Sequence, residues 1–173
     1  MSKAAAYLTR IQKALATAKE VRVGFLEGAT EPGGQSTAMV MAIQEYGAPA
    51  VGIPPRPFFR PMIKDNQGHW GPDLGKLLRT NGYDAAKSLG QMGEEMMGEL
   101  RESIINLTDP PLSDVTLLLR ERFGNSPESI TFADVVQARH DISAGVTPSV
   151  SGTQGKPLIW TGTAINNVDK EVV

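Results

Sequence analysis

Between Gly47 and Pro57 the chain reads Gly-Ala-Pro-Ala-Val-Gly-Ile-Pro-Pro-Arg-Pro, closing with three prolines within four residues. Each proline fixes its φ and removes an amide donor, so this stretch is extended and cannot sit inside a sheet. Regular structure must be built on either side of a stiff strap. Pro57 is well placed as the first residue of a helix carrying Phe58, Phe59, Met62 and Ile63, and Pro61 still falls where a missing donor costs little. Consecutive phenylalanines point about 100° apart on a helix, so burying both in one narrow core face is awkward. A stiff segment loses little entropy on docking, and Phe and Arg are enriched at interface cores. For Ile53, Pro54, Pro55, Arg56, Pro57, Phe58, Phe59 and Arg60, core anchoring and partner contact are both open.

Periodicity supplies the elements around the strap. Tyr7, Leu8, Ile11, Leu15 and Ala18 share one face of a helix expected over Ala4 to Lys19. Val21 to Leu26 alternates as a half-buried strand, Glu27 to Ser36 is a flexible loop around Pro32-Gly33-Gly34, and Thr37 to Tyr46 has helical spacing. A short helix is expected over His69 to Arg79, stopped at Asn81-Gly82. Asp84 to Leu107 carries Ala85, Leu89, Met92, Met96, Leu100, Ile104 and Leu107 at three- and four-residue intervals, the strongest helical pattern in the chain. Its Gly90, Gly93 and Gly98 each cost about 1 kcal/mol relative to alanine, an expense that close approach of a neighbouring backbone would offset. Ser113 caps a helix ending at Gly124, Thr131 caps another over Phe132 to Asp141, and Ser143 to Lys156 is a second flexible loop. A helical turn and a strand over Val168 to Val173 complete the pattern. The expectation is a single α+β domain over residues 1–173, several helices packed with a small, mostly antiparallel sheet.

The 173 residues suffice to bury roughly 70% of the unfolded chain's surface. With Cys 0, thiolate chemistry and a disulfide framework are excluded. Only His69 and His140 are present, so a structural zinc site is not expected. No nucleophile elbow occurs, and the Gly155-Lys156 step lacks both the upstream glycine and the Ser/Thr of a phosphate loop, because Val150 and Pro157 stand there. His69 reads as a surface histidine at a helix terminus, and His140 as a favourable charge near a helix C-terminus. Glu94, Glu95, Glu99 and Glu102, with no histidine on their helix, read as a solvated face. Met92, Met96 and Met97 read as core filler. The net charge of -2 gives no global drive toward nucleic acid. No targeting segment or bilayer-length apolar run is visible, so a protein of the cytoplasm, or of something assembled there, is expected. Catalysis, cofactor and metal are all unexpected.

Two segments carry a resemblance. Glu45-Tyr46-Gly47 followed by Ile53-Pro54-Pro55-Arg56-Pro57-Phe58-Phe59-Arg60-Pro61 resembles a signature of tailed-bacteriophage morphogenesis proteins, in which a glutamate-aromatic-glycine step precedes a Pro-Arg-Pro-Phe segment. Lys156 to Val168, containing Thr161-Gly162, is similar to their second signature, with Asn167 where serine is usual. The resemblance implies a neck, head–tail joining or tail-completion protein without a catalytic site. It implies a ring of copies of this chain, hexameric or larger, between the portal or connector and the tail-tube or terminator proteins. It also implies location in the virion neck or tail, and in the host bacterial cytoplasm during assembly. A tail-tube terminator or baseplate component is the alternative. A phage-borne cell-wall hydrolase and a small DNA-binding assembly factor are more distant classes; neither membrane nor sequence-specific nucleic acid is an expected partner.

Overall fold

A computed structural model describes residues 2–124, 126–150 and 152–173. It is α+β, with helices predominating over one two-stranded antiparallel sheet among the described residues. The chain divides into two compact units, Met1–Glu27 with Phe59–Ser103 and Val168–Val173, and Gly28–Phe58 with Ile104–Asn167.

In the first unit, α1 (Lys3–Leu15) starts at Ser2, whose Oγ accepts from the Ala5 amide. It is shorter than its periodicity suggests. The chain leaves the helix at Ala16 so that the amides of Lys19 and Glu20 can donate to the carbonyl of Val173. There β1 (Val21–Phe25) pairs with β2 (Val168–Val172), in a register running from Val21 opposite Val172 to Phe25 opposite Val168. The sheet lies beside α4 (Ala85–Asn106), where Lys170 Nζ donates to the carbonyl of Gly90 at 2.7 Å. Buried Met62, Met92, Met97, Leu100 and Val168 form the apolar interior.

The two helices expected around His69 are one continuous helix, α3 (Phe59–Thr80). Pro72 lies inside it without ending it. The proline and Gly68, whose carbonyl it leaves unbonded, are both exposed, so solvent can satisfy that carbonyl. The helix begins at Phe59 rather than Pro57, and the Phe58 amide just before it donates to the Glu45 carboxylate. Its end follows the Asn81-Gly82 signal, with Gly82 at φ 64° and the Tyr83 amide bonded back to the Leu78 carbonyl.

In the second unit, α2 (Thr37–Tyr46) is capped by Ser36. α5 (Asp114–Phe123) is capped by Ser113, and α6 (Phe132–Ser143) by a reciprocal box between Thr131 and Asp134. Leu118, Leu119 and Ala138 are buried where α5 meets α6, with Val115, Phe123, Ile130, Val135 and Ile142 packed around them. The short α7 (Thr163–Asn166) starts at Gly162, in the left-handed region at φ 79°. Both segments expected as flexible carry defined contacts. Thr30 bridges Ser36 across the first, and Gly152–Gly155 forms a 3-10 turn in the second, where Ser149 also bonds Glu121.

Candidate functional site

The strap is braced from behind by the residues that precede it. The Glu45 carboxylate is buried and accepts from the Phe58 amide at 2.7 Å. Such a charge-assisted bond contributes about 1.5–3 kcal/mol. The neighbouring Gln44 carbonyl accepts from the Arg56 amide at 2.6 Å, and Gln44 Oε1 accepts from Arg56 Nη1 at 3.2 Å. Gly47, at φ 73°, lets the chain turn back so tightly that a Cβ there would stand 2.7 Å from Pro55 N and 2.9 Å from the Ile53 carbonyl. The glutamate-aromatic-glycine step and the proline strap are thus one structural device.

The eight strap residues divide by side. Arg56 and Phe58 point inward and are buried; Phe58 is only 2% exposed. Pro54, Pro55, Pro57 and Arg60 are exposed, while Ile53 and Phe59 are half-buried. Between the two signature halves, Pro49–Val51 is a short 3-10 turn and Ala48 bridges Ile53, where the sequence suggests a fully extended run. Tyr46 and Val51 are exposed by 64% and 72%. Tyr46, Val51 and the three prolines therefore present a largely apolar outer surface on a backbone pinned from within.

The second segment lies in the same unit. Pro157, Leu158 and Ile159 are buried, and the carbonyls of Gln154, Lys156, Pro157 and Ile159 converge on Arg120 of α5 at 2.7–3.1 Å. Trp160 stacks against that guanidinium at 5.0 Å and donates its indole N–H to the Gly124 carbonyl. Thr161 Oγ1 accepts from the Thr163 amide, and Asn167 donates to the buried Thr37 hydroxyl. Arg120 carries no distinctive motif, so its central role was not readable from sequence. Its hint was a cation in an otherwise apolar Leu117-Leu118-Leu119 run, where core position and charge conflict.

Both segments border one cleft of about 600 Å³. Ile53, Pro54 and Arg56 come from the strap, Pro157 and Trp160 from the second segment, and Ser113, Thr116 and Arg120 from the start and body of α5. Arg56 also holds the carbonyls of Pro110 and Pro111. Burial drives the Arg56 guanidinium below its ordinary range. Burial, reinforced by the charge of Arg56, lowers that of Arg120 to about 10.

The first unit holds a second polar cluster. His69 lies in the middle of α3, not at a helix terminus, and its ring reaches carboxylates on both sides. Nδ1 is 3.0 Å from Asp73 and 3.7 Å from Glu95, and Nε2 is 2.9 Å from Glu99. Trp70 Nε1 donates to the other oxygen of Glu99 at 2.8 Å. The glutamates of α4 are therefore not all a solvated face: Glu99 is 15% exposed and engaged by a histidine from the neighbouring helix. One ligand atom each from His69, Glu95 and Glu99 lies within 4.8 Å of the others, a spacing able to hold a cation. Both ring nitrogens already lie within hydrogen-bond distance of carboxylates. His140 stands exposed in the last turn of α6, beside Asp141. No helix among the described residues is long and apolar enough to cross a membrane. No family model matches this chain, nor does any curated protein or solved structure.

Proposed function

We propose that this chain is a structural assembly protein of a tailed phage or prophage. It works at the head–tail junction as a neck or tail-completion component, by contact alone and without catalysis. The observation that carries the reading is the outer surface of the strap: Tyr46, Val51, Pro54, Pro55 and Pro57 are exposed, while Glu45, Arg56 and Phe58 fix the backbone beneath them. A preformed apolar platform loses little on docking, because its ordering has already been completed by folding. Apart from Val51, its residues are also among those through which the sequence resembles morphogenesis proteins. Further apolar side chains stand exposed on α1, at Tyr7, Leu8 and Leu15, and on α6, at Phe132 and Val136. In a closed ring, heterologous contacts of this kind repeat by rotation and are covered in every copy.

Light scattering over a concentration series, with negative-stain imaging of large species, tests the reading. A closed ring of fixed number is expected, either in the free protein or on isolated phage heads or tails. Val51→Asp places a charge on the platform at an exposed position and should abolish the ring or the docking while leaving the circular dichroism unchanged. A strict monomer that binds neither heads nor tails would overturn the proposal.

A further inference from the structure

We propose that the cleft bordered by Arg56, Arg120 and the start of α5 is an oxyanion-binding site, taking a carboxylate or phosphate group. The inference concerns the cleft alone and does not rest on the assembly reading. Arg56 and Arg120 are 7% and 4% exposed, and both line the same cleft. Neither pairs with a carboxylate among the described residues. Arg56 bonds the Gln44 side-chain oxygen and two backbone carbonyls, and Arg120 bonds four carbonyls. Dipolar acceptors orient a guanidinium but leave its net charge uncompensated. Two like charges buried beside one cleft are a costly arrangement unless an anion completes it.

Donor capacity remains for such an anion. A guanidinium has five N–H groups; the three bonds of Arg56 leave two free, one on each terminal nitrogen. Arg120 Nε is buried and has no partner among the described residues. A buried donor without an acceptor leaves this guanidinium less than fully satisfied by the carbonyls around it. At the rim, Ser113 caps α5 by accepting from the Thr116 amide, and the hydroxyls of the two residues bond each other at 2.9 Å, which leaves one of the two O–H groups to donate at the N-terminus of a 10-residue helix whose dipole favours negative charge. Asp114, the acidic residue of that first turn, is exposed and does not line the cleft. The guanidinium fork suits the planar oxygens of a carboxylate or phosphate. Ile53, Pro54, Leu112 and Trp160 give the cleft apolar walls, so there is room for the body that carries the group.

The test uses the full chain labelled with ¹⁵N and follows the arginine Nε–H resonances during titration with sodium phosphate or sodium acetate, against sodium chloride at equal ionic strength. The Arg120 resonance, identified by its loss in Arg120→Lys or by through-bond correlation in the unmodified protein, should shift saturably with at least one oxyanion and not with chloride. Saturation by phosphate alone assigns the site to phosphate compounds; saturation by acetate assigns it to carboxylates. Arg56→Gln, which keeps a bond to the neighbouring carbonyls within reach, should weaken the binding roughly tenfold or more. Equal responses to all three salts, or none, would overturn the site. An unchanged affinity in folded Arg56→Gln would overturn the role of Arg56 and with it the two-arginine site.

Discussion

Gly47 shows how much can depend on one missing carbon. Its φ of 73° and ψ of 173° lie in a region essentially closed to other residues, and a Cβ would collide with two backbone atoms that cannot swing away. Gly47→Ala is therefore expected to lower stability by about 2–4 kcal/mol. Urea denaturation checks this, and a midpoint equal to that of the parent would contradict the described turn. Phe58, 2% exposed, shows which alternative the adjacent phenylalanines adopt: one is a core anchor, while Phe59 is half-buried and begins the next helix. His69 is the residue that local reading misplaced. Its partners Glu95 and Glu99 lie 26 and 30 positions away, on another helix, and no spacing rule within one element can reveal such a cluster.

At the scale of the element, the glycines of α4 differ although their sequence cost is the same. A Cβ on Gly93 would stand 2.8 Å from both Val21 Cγ2 and Lys170 Cδ, so the sheet needs that glycine. The neighbours are side chains rather than the backbone expected from the pattern. Gly98 faces open space and is exposed. Accordingly Gly98→Ala should raise stability by up to about 1 kcal/mol, whereas Gly93→Ala should lower it by about 1–3 kcal/mol. Thermal melts of the two variants should move in opposite directions; a gain in both would mean the sheet does not press on α4. Elements whose ends are written locally were legible: Ser113 and Thr131 cap α5 and α6 at the expected places, and α2 spans Thr37–Tyr46 as its spacing suggests, although its cap, Ser36, was read only as loop. The length of α3 was not, because a proline signals a break whether or not solvent can satisfy the carbonyl it frees. The strap was legible as stiff, but its inward and outward sides depend on Gln44, Glu45 and the Pro110–Pro111 carbonyls, and so on tertiary placement.

For the whole molecule, three aspartates tie stability to acid. Hydrogen bonding to Lys76, then to His69, holds Asp73 below the ordinary 3.8. The Thr131 hydroxyl and amide do the same for Asp134, and Arg122, followed by Gln137, for Asp141. A carboxylate whose folded pKa is depressed stabilises fully above its unfolded value, and that contribution disappears as pH falls through the folded one. Stability should thus be insensitive to these groups above about pH 5 and decline below 3.8. Urea midpoints measured against pH would show it, and Asp134→Asn should flatten part of the slope. A midpoint that is constant down to the depressed values would contradict the described bonds.

The pairing of Val21 with Val172 also sets an order in time. On a ribosome β1 emerges early and stays without its partner until residues 168–172 have been made. Every residue of Gly28–Phe58 and Ile104–Asn167 has by then been synthesised. The body carrying the strap and the arginine cleft can therefore begin to organise while the other still has an open strand edge, an exposure that invites pairing with neighbouring chains. Late closure means that the edge of β1 covered by β2 is open until those residues arrive.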